Sequence, residues 1–293
     1  MERYFEGIST SREAGTRDVL SIRKILIFTV MKTKMMTMVF LAGMMILPLW
    51  GQGGPDARTV MQKSISVAKV PGMEAVTELR ITDARGRERI RKIAMASRDE
   101  GTVEKRIIRF LEPADVKGTA LLVFDYPDKK DEMWLYMPAI RKIRKIVSTE
   151  KGKNFMGSEF SNADMAVPNL GDFHFRTFGE EEAGGIACYE IEIVPLNDRL
   201  VREYGFAKKI LWIGKKDYVM RKAVYYDEEG EKVKVLTAKD VKAIDPAHEK
   251  FLAMEMTMVN EQNGRKSYFR MLQVQYNPNV KKEYFTLGYL ERR

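Results

Sequence analysis

Apolar side chains recur at helical spacing in one early segment of the chain and at alternate positions through most of the later sequence. Residues 56–69 predict an α-helix, with Asp56 suited to cap its first turn and Pro71 suited to end it. Beyond this helix the period changes to two. The segments 77–82 and 88–95 flank a turn and predict a β-hairpin.

Further alternating segments come at short intervals, and turn-forming residues separate many of them. One opening helix followed by regular antiparallel strands predicts a mainly β fold with few α-helices, built as a large curved sheet or an incomplete β-barrel. No break in composition and no repeat of fixed period is visible, so residues 52–293 are predicted to form a single domain. The remaining strands are predicted near 103–112, 119–126, 131–137, 142–148, 173–178, 186–194, 207–213, 217–226, 231–237, 250–259 and 267–276.

Residues 149–172 interrupt the succession of strands. This segment is too long and too rich in turn-forming residues for a plain hairpin loop, and long loops in compact domains are usually functional or disordered. Its apolar side chains, among them Phe155, Met156 and Phe160, argue against disorder. We interpret it as a lid or gate over the sheet.

The strand near 131–137 is apolar or amphipathic on both faces. Alternation places Trp134 and Tyr136 on one face and Met133 and Leu135 on the other. Two interpretations remain open: a central strand covered on both sides, or a strand with one face lining an apolar cavity. Methionine side chains suit such a cavity because flexible thioethers adapt to variable acyl chains.

A basic stretch comes directly after that strand, with apolar residues at every third position of 140–146. It holds four cations, Arg141, Lys142, Arg144 and Lys145. One interpretation is a solvated edge strand whose charges discourage edge-to-edge pairing. The other is a basic rim that contacts lipid phosphates or an acidic partner surface.

The N-terminus has the layout of a secretory signal peptide. A short basic start at Met31 precedes an apolar run at 35–49 and then small and polar residues, and this run is too short for a comfortable membrane span. We therefore predict export, with a signal peptide at 31–51 and an upstream extension at 1–30. The alternative is an uncleaved anchor that also uses 25–30.

Charge and composition give little support to catalysis or to nucleic-acid binding. The net charge is +9, but the charges are interspersed rather than clustered. Cys188 is the single cysteine, and His174 and His248 lie too far apart in sequence to suggest a metal site. Ser158 does not occur in a nucleophile-elbow motif. We predict no catalytic residue, no metal and no cofactor, and hence no enzyme.

Three blocks of sequence and one acidic residue occur in a recognisable order. They are Phe-Leu-Glu-Pro-Ala-Asp-Val-Lys-Gly-Thr-Ala-Leu at 110–121, Asp-Glu-Met-Trp-Leu-Tyr-Met-Pro at 131–138 with the basic stretch behind it, Asn-Phe-Met-Gly-Ser-Glu-Phe at 154–160, and Asp164. Together they resemble the outer-membrane lipoprotein-sorting proteins of the LolA-like superfamily, in particular a branch with Trp-x-Tyr-x-Pro and Phe-Met-Gly-Ser motifs. The signal peptide, the early helix and the strand order extend this likeness over most of the chain.

The resemblance implies a strongly curved, incomplete β-barrel with helices covering its concave apolar face. It also implies a protein that carries acyl chains of lipoproteins or other lipids across the periplasm of a Gram-negative-type envelope, and some branches are associated with membrane transporters of the RND/MMPL type. The residues predicted to contact lipid are Phe110, Trp134, Tyr136, Phe155, Met156 and Phe160, and those predicted to contact a headgroup or a partner are Arg141, Lys142, Arg144 and Lys145.

The residues and the resemblance together support two functional hypotheses. The first is a periplasmic carrier that shields acyl chains in an apolar cavity for transport toward the outer membrane, with transient contact with a membrane surface. The second is a non-enzymatic accessory subunit that docks on an inner-membrane transporter or envelope complex through the basic stretch. A hydrolase of envelope lipids is disfavoured, since the sequence offers neither a nucleophile motif nor a metal set.

Overall fold

The computed structural model describes residues 54–292. The predicted extension at 1–30 and signal peptide at 31–51 lie outside these residues. Within the described part of the chain, no helix combines the length and the apolar character that a membrane crossing requires.

The opening helix, α1, spans Ala57–Ala68 and confirms the prediction from helical spacing. Asp56 caps it, since its side chain accepts a hydrogen bond from the Thr59 amide at 3.1 Å. Val60 and Met61 are buried, so this face of α1 lies against the sheet rather than in solvent.

The described strands form one antiparallel sheet of thirteen members, and each predicted strand is present. β7 and β11 extend beyond their predicted ends, and the added residues include exposed polar side chains, such as Glu180 and Lys239, that interrupt the alternation signal. The strands are β1 (Gly72–Thr82), β2 (Glu88–Asp99), β3 (Glu104–Glu112), β4 (Ala120–Asp125), β5 (Glu132–Met137), β6 (Lys142–Lys145), β7 (Phe173–Ala183), β8 (Ile186–Pro195), β9 (Lys208–Gly214), β10 (Met220–Tyr226), β11 (Lys232–Asp245), β12 (Lys250–Asn260) and β13 (Lys266–Tyr276).

The sheet is curved but does not close. β1 lies at its middle and pairs with both β2 and β13, so the order is β6-β5-β4-β3-β2-β1-β13-β12-β11-β10-β9-β8-β7. The two edges are therefore β6 and β7, which are consecutive in sequence. The chain between them, residues 146–172, is here called the crossing segment, and it runs from one edge of the sheet to the other over the concave face. The predicted incomplete barrel is confirmed.

The two faces of the sheet carry separate apolar clusters. In β4, Leu121 and Val123 belong to the large cluster under α1 and the crossing segment, whereas Ala120 and Leu122 belong to a cluster on the convex face. That convex cluster is covered by the C-terminal segment, residues 277–292. Because both faces of the sheet are covered here, a strand such as β4 carries apolar side chains on both of its faces.

Three short helices escaped the prediction from sequence. Each is too brief to show a helical period, and each is held by tertiary contacts: the first two pack against each other, the second also against β8, and the third against β4. They are α2 (Ser148–Lys151), within the crossing segment, α3 (Asp198–Tyr204), between β8 and β9, and α4 (Leu287–Leu290), near the C-terminus.

The C-terminal cover should contribute measurably to stability through Leu290. We expect Leu290→Ala to lower the free energy of unfolding by about 2–5 kcal/mol, because its side chain is fully buried against the convex face. The matched control is Leu287→Ala in the same helix, where the side chain is 45% exposed and the expected change is within about 0.5 kcal/mol. Urea unfolding measures both variants. If both variants lost the same free energy of unfolding, Leu290 would not be the residue that holds the C-terminal segment on the sheet.

Candidate functional site

A cavity of about 410 Å³ lies between α1, the crossing segment and the concave face of the sheet. Its size falls in the usual range for small-molecule sites. The lining is mainly apolar and unusually rich in sulfur, with seven methionines from five strands, one helix and the crossing segment: Met61, Met73, Met95, Met165, Met220, Met256 and Met271.

Strand alternation directs these side chains into the cavity. On β9, Leu211 and Ile213 line it, whereas the intervening Trp212 packs in a cluster on the opposite face. Helix α1 supplies the facing wall with Met61 and Ile65, one helical turn apart. The arrangement offers adaptable apolar surface with few fixed hydrogen-bonding groups.

The crossing segment is anchored by the buried carboxylate of Glu159. The Glu159 amide donates to Ser267 Oγ at 2.8 Å, and its Oε2 accepts from Asn260 Nδ2 at 2.9 Å. Its Oε1 lies 2.9 Å from Arg265 Nε, and its carbonyl accepts from Lys234 Nζ at 2.7 Å. A buried carboxylate is tolerated only when paired and hydrogen-bonded, so these partners fix the segment over β11 to β13.

Aromatic packing supports the same anchor. The ring of Phe160 meets that of Phe269 edge-on at 6.2 Å, and the ring of Phe155 lies 5.8 Å from that of Phe110. Phe155 and Phe160 are both buried. The Arg91 guanidinium also donates to the carbonyl of Met156. This part of the segment is therefore integral to the core.

A second set of polar contacts positions the far side of the segment, where it forms one wall of the cavity. Arg106 donates to the carbonyl of Met165 at 2.6 Å and to Glu104 at 2.7 Å. Asp125 accepts from the Val167 amide at 3.1 Å. Burial raises the pKa of Asp125 to about 7, although the Arg106 charge acts in the opposite direction.

Two tyrosines add hydroxyl groups to the lining. The Tyr225 hydroxyl donates to Asp164 at 3.3 Å, and the Tyr204 hydroxyl donates to Asp172 at 2.8 Å. Burial, with the neighbouring Asp164 carboxylate, raises the pKa of Tyr225 well above its usual value, so this hydroxyl stays protonated. Both tyrosines act as hydrogen-bond donors to the crossing segment and its junction with β7.

The structure places the six residues predicted to contact lipid in three different surroundings. Phe160 lines the cavity. Phe110 and Phe155 pack in the concave core beside it, and Met156 packs against that core. Trp134 and Tyr136 lie on the convex face under the C-terminal segment, where the Trp134 ring meets Phe124 at 5.1 Å. Of the two interpretations of their strand, the geometry favours the one covered on both sides.

The four cations predicted at the rim lie on or beside β6, an edge strand of the sheet, and all are exposed. Arg144 pairs with Glu150 at 2.8 Å and Lys145 with Glu132 at 2.8 Å. Arg141 and Lys142 make no ion pair with any residue in the range 54–292. They are not brought together with the cavity lining.

Most of the lining went unrecognised in the sequence, although one signal was present. β12 reads Phe251-Leu-Ala-Met-Glu-Met-Thr-Met258, with methionine at every second position, and Met256 of this series lines the cavity. Lys209 also lines the cavity. In the sequence it follows Lys208, and two adjacent lysines resemble ordinary surface charge. In the described residues, no group of three or more His, Cys, Asp or Glu side chains is arranged to hold a metal ion.

Comparisons with known proteins place the fold. A family model described as an uncharacterized protein matches residues 102–292. A crystal structure described as an outer membrane lipoprotein-sorting protein domain from Vibrio parahaemolyticus is 25% identical, with a TM-score of 0.74 over 80% of this chain and 98% of that one. A DUF1329 family protein from Desulfovibrio piger is also 25% identical, with a TM-score of 0.73 over 80% and 97%.

A LolA superfamily protein from Nitrosomonas europaea shares the fold, with a TM-score of 0.63 at 18% identity over 80% of this chain and 100% of that one. No curated protein matches the sequence.

The buried carboxyl of Asp125 should make stability depend on pH. Its folded pKa of about 7 exceeds the ordinary 3.8, so between these values the folded state holds a proton that the unfolded state releases. Stability should therefore fall as pH rises through this window, by at most about 4 kcal/mol. Urea unfolding at pH 5 and pH 8 measures the loss.

Asp125→Asn should flatten that pH dependence, because the amide has the same shape and does not ionise. Asp128→Asn, in the exposed turn that comes after β4, serves as the control and should leave the profile of the wild type unchanged. If Asp125→Asn retained the wild-type dependence on pH, the assignment to Asp125 would be wrong.

Proposed function

We propose that this chain, which belongs to the family matched over residues 102–292 and shares the fold of the LolA superfamily, is a carrier of acyl chains. In this proposal the cavity shields the acyl chain of a lipid or lipoprotein from water during transfer toward the outer membrane. The protein binds its cargo without chemical reaction.

The observation that carries the proposal is the methionine-lined cavity under α1 and the crossing segment. Each buried methylene contributes about 0.8 kcal/mol, so an acyl chain can be bound tightly with few polar contacts. Unbranched thioether side chains can adjust to chains of different length and saturation. A site for a polar metabolite would instead need several fixed donors and acceptors converging on the ligand.

The likeness to the Vibrio protein described as a lipoprotein-sorting domain supports an envelope location. A periplasmic protein would need export, which agrees with the signal peptide predicted at 31–51. We propose that the periplasm is where the carrier works and that lipoprotein acyl chains are one class of cargo.

A specific observation also favours docking through the edge strand β6. Arg141 and Lys142 are exposed, and the exposed apolar residue Ile140, 56% accessible, precedes them. A second exposed apolar residue, Val147, 53% accessible, follows the other end of β6. Cations next to exposed apolar side chains suit an anionic membrane surface or an acidic partner. We propose that this edge contacts the membrane during loading or release. In the alternative function, an accessory subunit would use the same edge to dock on an inner-membrane transporter without carrying a lipid.

Delipidated protein should take up one fluorescent long-chain acyl probe per molecule, and filling the cavity should weaken uptake. We expect Ser64→Trp to raise the dissociation constant by about tenfold or more, since Ser64 lines the cavity and the indole would occupy part of it. The matched control is Ser66→Trp on the exposed face of the same helix, which should bind as the wild type does. Fluorescence titration gives both constants.

Absence of uptake by the wild type at micromolar probe would overturn acyl carriage. Recovery of a transporter with the purified protein, together with no co-purified lipid in native mass spectrometry, would favour the accessory-subunit function instead. Equal weakening by Ser64→Trp and Ser66→Trp would show that the probe binds outside the cavity.

Membrane contact should depend on the exposed cations of the β6 edge that form no ion pair within the described residues. We expect the double change Arg141→Gln and Lys142→Gln to weaken binding to vesicles of anionic phospholipid by about tenfold or more, because each cation near such a surface contributes about 1 kcal/mol. The control removes Arg85 and Lys239, two exposed cations elsewhere on the molecule, in the same way. Vesicle co-sedimentation at low salt measures the difference. Equal effects of the two double changes would contradict docking through β6.

A further inference from the structure

A lysine stands among the apolar side chains that line the cavity. On β9 the residues that face the cavity are Lys209, Leu211 and Ile213, at alternate positions of the strand. The neighbouring Lys208 points to the other face, where its Nζ lies 4.5 Å from the centroid of the Tyr226 ring. Lys209 therefore occupies a position that the pattern of the strand would give to an apolar residue.

The immediate neighbours of Lys209 Nζ are aromatic rings. Nζ lies 4.3 Å from the centroid of Phe206 and 4.2 Å from that of Tyr225. Such contacts partly offset the cost of removing an ammonium from water. They leave its three N–H donors without an acceptor, and within residues 54–292 no oxygen accepts a hydrogen bond from Nζ.

The other cations of the described lining are already paired. Lys69 lies 3.0 Å from Asp99, and Arg106 binds Glu104. Asp164 is the carboxylate whose charge acts on Lys209, but it forms no ion pair with Nζ. Its own hydrogen bonds come from the amide and hydroxyl of Ser161 and from the Tyr225 hydroxyl. Lys209 is thus the cation in this lining that retains free hydrogen-bonding capacity for a ligand.

A partly buried ammonium that has aromatic neighbours and no counter-ion carries an energetic cost. Burial lowers the pKa of Lys209 to about 8, and the Asp164 carboxylate acts in the opposite direction. The side chain is still largely protonated at neutral pH. A ligand with a negative group would relieve this cost, and the charge-assisted hydrogen bond would be strong in so apolar a setting.

We propose that the cavity selects acyl chains that end in an anionic head, a carboxylate or a phosphate, and that Lys209 Nζ binds this head while the chain lies against the methionines. This inference rests on the proposed acyl carriage and adds a preference for charged heads to it. The same chemistry is offered by a free fatty acid and by a single-chain phospholipid such as lysophosphatidate. An uncharged acyl ester or amide, the form in which lipoprotein acyl chains occur, would still fill the cavity but would bind less tightly, because it offers Lys209 no negative group.

The test compares charged and uncharged ligands of the same chain length at pH 7. Hexadecanoic acid is measured against hexadecanol, and palmitoyl lysophosphatidate against monopalmitoylglycerol, by displacement of a fluorescent acyl probe. We expect the wild type to bind each anion about tenfold or more tightly than its uncharged counterpart, as a hydrogen bond to a charged group predicts. Preference for only one of the two anions would identify the head as carboxylate or as phosphate, within the proposal.

Lys209→Met should abolish the preference for the anion while leaving the uncharged ligands bound as before, since methionine matches the rest of the lining. Lys208→Met, the adjacent lysine on the opposite face, should retain the preference of the wild type. Thermal unfolding of both variants confirms that each is folded.

Equal affinity of the wild type for anionic and uncharged ligands would overturn the preference for charged heads, and this comparison needs no variant. A preference that survives in Lys209→Met would overturn the role of Lys209. In either case acyl binding itself would stand, whereas failure of the wild type to bind any of the four ligands would overturn the carrier proposal.

Discussion

The buried carboxylate of Glu159 is the interaction on which the arrangement of the concave face depends. A charge taken out of water must be compensated at close range, and the carboxylate is compensated by Asn260 and Arg265. Both come from the β12–β13 hairpin, as does Ser267, whose hydroxyl accepts from the Glu159 amide. The crossing segment is thereby pinned over one side of the sheet. The space that remains between the segment, α1 and the concave face is the cavity.

The same segment resolves a geometric problem of an open sheet. The edges β6 and β7 are sequence neighbours at opposite ends of the strand order, so the connection between them must cross the concave face. A loop crossing a core would bury unpaired backbone groups, yet here Arg91, Arg106 and Lys234 donate to carbonyls of the segment. Three long cations reaching inward allow an irregular segment to serve as a wall of an apolar site.

The secondary structure could be predicted from the sequence because the strands alternate and α1 has a clear helical face. Which face of each strand lies toward the cavity could not be predicted from the sequence. Trp134 and Tyr136 look the same in sequence whether they face a cavity or a covering segment, and the cover, from Val280 to Leu290, lies too far along the chain to be paired with them by pattern. The cavity lining was missed for a related reason: its methionines are scattered over five strands, and only the alternate methionines of β12 give a local signal.

The pairing of β1 with β13 also governs the order in which the molecule can be made. Met73 lies opposite Tyr276, so the middle of the sheet is completed by residues from near the two ends of the described chain. A chain that emerges from its N-terminus presents the free edge of β1 until almost its last strand has appeared, and such long-range pairings form slowly. An apolar, unpaired edge in that interval is a template for aggregation. Until β13 pairs with β1, the newly made chain is therefore open to strand pairing with other chains, and this exposure ends only when β13 has been made.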